Sequence, residues 1–135
     1  MSYPRGRSRW GALGLAGFIA VAAPVFASAL PDLQALSKLE RGRWQLRSAS
    51  DAPRSICIGD PAALVQLEHE GASCGHEVLA NEAGGATVQY TCPGHGFGHT
   101  RVKVETPRLA RIDTQGLADG RPFSYRVEAR RVGSC

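Results

Sequence analysis

Cysteine and histidine are the side chains here whose types and spacing suggest chemistry, and they crowd into one stretch. Cys74, His76, Cys92, His95 and His99 fall between Cys74 and Thr100, with His69 just ahead of them. Cys92, His95 and His99 form a C-x2-H-x3-H spacing, and thiolate and imidazole are zinc ligands. Zinc patterns usually pair their ligands in two separated clusters, which this spacing does not do. A second arrangement needs no thiolate: His76, His95 and His99 as a histidine site for copper or zinc. Those three are the metal candidates.

The same stretch holds Gly94, Gly96 and Gly98, alternating with His95, Phe97 and His99. Glycine at such positions serves either a ligand that approaches the backbone or a bulged turn with unusual backbone angles, and the turn is the preferred reading. No nucleophile elbow, H-E-x-x-H, phosphate loop or dinucleotide fingerprint is present, so no catalytic residue and no cofactor is assigned. Glu68-His69-Glu70 puts two carboxylates around an imidazole. Adjacent residues on a helix diverge, so this reads as a solvated helix end.

Whether the cysteines are ligands or bridges depends on compartment, which the first residues address. Arg5, Arg7 and Arg9 precede an apolar run from Gly11 to Ala23, followed by Ala27-Ser28-Ala29. A basic start, a short apolar core and a small-residue site form a Sec-type signal peptide. The run is shorter than the roughly 20 residues a membrane helix needs. Cleavage is expected after Ala29, leaving residues 30–135 as one periplasmic or secreted domain. The whole chain carries a formal charge of +4. Three arginines leave with the leader and no acid does, so sixteen basic residues become thirteen against twelve acidic ones, a net of +1. That removes the case for nucleic-acid binding, which calls for a basic face.

In an exported domain of this size, four cysteines imply two disulfides with three possible connectivities. A hairpin turn centred on Ala83-Gly84 puts Cys74 opposite Pro93 and Cys92 opposite Gly75, one residue from direct pairing. A small register change would join them, so Cys74–Cys92 is preferred, leaving Cys57–Cys135. In the chain-entropy picture the two nested loops are worth ~3 and ~4.5 kcal/mol and do not add.

The elements follow from periodicity. Leu33, Leu36 and Leu39 stand three apart in Leu30–Glu40, predicting a short amphipathic helix. Asp60-Pro61 marks a helix start, with Leu64 and Leu67 on one side and Gly71 ending it. Strands are predicted at 43–49, 56–58, 77–81, 87–92, 97–106 and 109–115. The cleanest alternation is at 123–130, where Phe123, Tyr125, Val127 and Ala129 share a face. Trp44, Phe123 and Tyr125 read as core. The whole predicts a mainly β fold: an antiparallel curved meander sheet or partly open barrel with one or two short helices, disulfide-stabilised.

Gly42-x-Trp44, the Cys57 strand before Asp60-Pro61, Cys74, and Tyr90-x-Cys92 resemble an uncharacterised bacterial family, domain of unknown function 3617. The resemblance spans nearly all of the exported part, while YTCPGHGFGHT and ETPRLARIDTQG look like a subgroup's own signature. It implies a periplasmic location and a β-rich fold, and carries over no activity and no catalytic residue. The leading expectation is a non-enzymatic binding module for an envelope protein or a small apolar ligand. The alternatives are a histidine-based metal protein or enzyme, and an inhibitor of an envelope hydrolase.

Overall fold

The structure, a computed structural model, describes residues 30–135; the signal-peptide reading of residues 1–29 lies outside them. Seven strands form one antiparallel sheet: β1 (Gly42–Arg47), β2 (Arg54–Ile58), β3 (Gly75–Glu82), β4 (Gly85–Cys92), β5 (Gly96–Thr106), β6 (Leu109–Ala118) and β7 (Arg121–Gly133). Their order is β2-β1-β7-β6-β5-β4-β3. β3 to β7 run as a meander, and β1 joins at β7. β2 and β3 are unpaired edges, so the sheet does not close into a barrel.

Each tight connection has its chemistry in the sequence. Ala83-Gly84 and Pro107-Arg108 are two-residue links, between Glu82 and Gly85 and between Thr106 and Leu109. Asp119-Gly120 joins β6 to β7 with positive φ at both positions (48° and 78°), the mirror-image turn that suits strand twist.

The two predicted helices form as 3-10 helices. In the N-terminal segment only Leu36–Lys38 is helical, yet Leu33, Leu36 and Leu39 are all buried. Spacing by threes eclipses side chains in a 3-10 turn, so the apolar stripe survives the tighter winding. The second helix, Pro61–His69, has Asp60 as N-cap, its carboxylate accepting from the Ala62 N–H at 2.9 Å. Gln66 leaves helical geometry (φ −128°, ψ 36°) and its amide caps the end of the helix, donating to the carbonyls of His69 (2.7 Å) and Ala72 (2.9 Å).

This helix must travel from the β2 edge to the β3 edge, which lays it across one face of the sheet. Leu64, Val65 and Leu67 from the helix meet Trp44, Leu46, Val88, Val102 and Ile112 from the strands in one core. The opposite, open face is charged, with ion pairs such as Arg126–Asp113 (2.7 Å) and Lys103–Glu105 (3.2 Å).

Both disulfides form as expected, Cys74–Cys92 and Cys57–Cys135, with no free cysteine among the described residues. A bulge supplies the register change. Near the turn Ala80 faces Thr87, but beyond Leu79 the pairing slips by one, so Val78 faces Val88 and Gly75 faces Thr91. One further step sets Cys74 opposite Cys92. Two disulfides belong to an oxidising, extracytoplasmic setting. Among the described residues, no helix is long and apolar enough to cross a membrane.

Candidate functional site

The histidines do not converge. His76 on β3 faces Tyr90, and Tyr90 faces Gly98, so His76 projects from the covered side of the sheet. His99 is next to Gly98 on β5 and projects from the open side, between Gln89 and Gln115. His95 sits in the β4–β5 turn, exposed, with Nδ1 3.3 Å from Asp119 Oδ1. Among the described residues, no three His, Cys, Asp or Glu side chains gather as a metal-ligating set. All four cysteine sulfurs are consumed in bridges.

The histidine that the structure uses internally is His69, read from sequence as part of a solvated helix end. Glu68 and Glu70 are exposed, but His69 is 7% exposed. Its Nε2 is 3.1 Å from the His95 carbonyl and its Nδ1 is 3.1 Å from the Tyr90 hydroxyl. A carbonyl only accepts, so Nε2 carries the proton and Nδ1 accepts from Tyr90. The ring thereby ties the helix end to the β4–β5 turn. The signal in the sequence was its place four residues after Val65, on the apolar side.

Tyr90 is buried beneath His69 and His76, with ring centroids 5.4 and 6.1 Å away. Burial, with the Glu68 carboxylate nearby, pushes its phenol up to about 12. Gly98 makes the arrangement possible, because a β-carbon there would overlap the Tyr90 ring. The glycine-histidine link is thus a turn and a seat for Tyr90. At Gly96, φ is +122° and a β-carbon would meet the Leu117 carbonyl.

His76 lies at the border of this cluster and of a large cleft. Its Nε2 is 2.8 Å from Gln66 Oε1, an acceptor, so Nε2 carries the proton; Nδ1 is buried without a hydrogen-bond partner. Burial lowers its pKa below the ordinary histidine value. The cleft, about 820 Å³, lies between the N-terminal segment and the start of the Pro61–His69 helix. Leu33, Leu36 and Leu39 form its floor, Leu30 and Ala62 its walls, and Asp32, Asp60, Arg41 and His76 supply polar groups. Asn81 holds the outer wall, accepting from the Gln34 N–H (2.9 Å) and donating to the Asp32 carbonyl (3.0 Å).

At the other end of the helix a cleft of about 340 Å³ opens between the β1–β2 loop, Leu67 and Tyr125. A depression of about 330 Å³ on the open face is bordered by Arg101, Lys103, Arg111 and Arg126. Three of these four cations are ion-paired with Glu105 or Asp113. No family model, no curated protein and no solved structure matches this chain.

Proposed function

We propose that the protein is an exported, non-enzymatic binding module of the cell envelope. It takes a small ligand with an apolar body in the cleft between the N-terminal segment and the Pro61–His69 helix. The observation that carries this reading is the cleft itself: about 820 Å³, floored by three leucines and bordered by a few polar groups. Ligand sites are concave, mostly apolar, and roughly 300–1,000 Å³ in volume, with a small number of polar groups fixing orientation. The unpartnered Nδ1 of His76 is an acceptor at this border. A ligand hydroxyl or amide N–H would satisfy it.

The periplasm is the setting that the arginine-led leader and the two disulfides support together. The likeness to domain of unknown function 3617 belongs to the same reading and rests on the short motifs named above.

An apolar fluorophore titrated into the protein, expressed with its own leader and purified oxidised, tests the site. Saturable enhancement is expected, and Ala62→Trp, which fills the cleft wall, should weaken it about tenfold or more. Ala63→Trp, at an exposed neighbouring position, should leave it unchanged. Enhancement that never saturates, or that survives Ala62→Trp, would remove the cleft as the site.

A further inference from the structure

Only two buried side-chain nitrogen or oxygen atoms among the described residues lack a hydrogen-bond partner: His76 Nδ1 and the Tyr125 hydroxyl. Buried polar atoms are normally paired, and an orphan calls for a physical account. Tyr125 lies in the smaller cleft, about 340 Å³, beside Leu67 and Glu68 near the end of the helix. Leu46 and Leu67, both nearly fully buried, and half-buried Val127 give that cleft an apolar floor.

Two opposite charges stand at its border. Arg54 opens β2 and Glu68 lies in the last turn of the helix; both are exposed. Neither takes part in an ion pair among the described residues, although six arginine or lysine pairs form elsewhere. Both charges reach the Tyr125 phenol. Burial pushes its pKa well up; the Glu68 carboxylate adds to this both by its charge and by standing close to the hydroxyl, though not in hydrogen-bond geometry; the Arg54 guanidinium pulls it partly back, and Tyr90 adds a smaller upward push. The third charge at the border, Asp51, is held by the Ser48 and Ser50 hydroxyls at 2.9 and 2.8 Å, which lower its pKa.

We propose that this cleft binds a small zwitterion with an apolar side chain, an α-amino acid of the leucine or phenylalanine kind. The ligand carboxylate takes the Arg54 guanidinium, its ammonium takes Glu68, and the side chain lies on Leu46, Leu67 and Val127. The Tyr125 hydroxyl, held neutral, donates to the carboxylate. Arginine suits the carboxylate because its planar fork can meet both oxygens. The volume stands at the low end of the roughly 300–1,000 Å³ of small-molecule sites, which fits one amino acid rather than a long chain. This site is separate from the N-terminal cleft and does not depend on it.

The test is a chemical-shift titration of the intact oxidised protein with L-leucine, N-acetyl-L-leucine and L-leucinamide. L-leucine should move the Leu46, Leu67 and Val127 methyls saturably. Capping either charged group should weaken binding about tenfold, the worth of one charge-assisted contact. Glu68→Gln should weaken L-leucine but not its N-acetyl form, and Arg54→Gln should weaken L-leucine but not the amide. The analogue series is read on the unaltered protein, so it does not depend on either variant folding. No saturable shift at tens of millimolar, or equal binding of the three compounds, would overturn the proposal. Binding that survives Ala62→Trp, while the fluorophore site is lost, would show the two clefts to be independent.

Discussion

Gly98 is a residue whose importance lies in what it lacks. The Tyr90 ring occupies the place of its β-carbon, so Gly98→Ala must displace either the ring or the strand. We expect a loss of about 2 kcal/mol in denaturant unfolding, typical of forcing one methyl into a filled core. Tyr90 itself predicts alkaline behaviour. Its folded pKa, about 12, lies above the ordinary value of 10.0, so the folded state holds the proton longer than the unfolded chain. That stabilisation is complete below pH 10.0 and is lost as pH rises toward about 12. Unfolding midpoints measured across that window should fall, and less steeply in Tyr90→Phe. His76 predicts the opposite flank. Its pKa is lowered from 6.5 by burial, so the unfolded chain takes up the proton first. Stability should be complete above pH 6.5 and decline as pH falls below it, and His76→Gln should reduce that decline. The sequence marked His76 for its chemistry and passed over His69. Types and spacing reveal candidate ligands, but which histidine is buried depends on a strand twenty-one residues away, that of Tyr90.

At the scale of elements, the strands were the legible part. Alternation over 123–130 and the turns at Ala83-Gly84 and Asp119-Gly120 correspond to observed strands and links, because period-two burial is written directly in residue order. The helices were legible as stripes but not as windings. Leu33, Leu36 and Leu39 suit an α or a 3-10 reading, and the buried partner surface selected a single 3-10 turn. The Leu79 bulge could be anticipated only as a need, since the cysteines stood one residue out of register. Its position is set by contacts with β4. Besides its buried leucines, the N-terminal segment is tied to β3 by the hydrogen bonds of Asn81 to Asp32 and Gln34. Asn81→Ala should cost about 1–2 kcal/mol. It should also raise amide exchange across 32–38 while leaving β4 to β7 protected. Equal acceleration throughout would mean that the segment is not a separate unit.

For the molecule as a whole, the connection from β2 to β3 decides the architecture. Those strands are consecutive in sequence yet occupy opposite edges, and the segment between them becomes the lid over the core. A meander alone would have left that face open. Cys57 and Cys135 are both exposed, whereas Cys92 is 1% exposed. Limited reductant should therefore open Cys57–Cys135 first, with the sheet still folded, as alkylation and mass mapping under native conditions would show. The double change Cys57→Ser with Cys135→Ser should lower stability by at most about 4.5 kcal/mol, the chain-entropy worth of so long a loop. Neither cleft could be foreseen at this scale, because each is a gap between the crossing helix and segments far apart in sequence.

The Cys57–Cys135 bond also sets how the molecule bears load. Tension applied between Leu30 and Cys135 enters the chain at one end and leaves through the bond at Cys57, bypassing everything between. Only residues 30–56 can pay out, roughly 95 Å at full extension, against roughly 370 Å once both this bond and Cys74–Cys92 are cut. The Pro61–His69 helix and five of the seven strands lie inside the closed ring, whereas each cleft takes one of its walls from residues 30–56 outside it. In single-molecule pulling, the oxidised protein should therefore give a short first extension and then stiffen, while the reduced one runs to nearly four times that length.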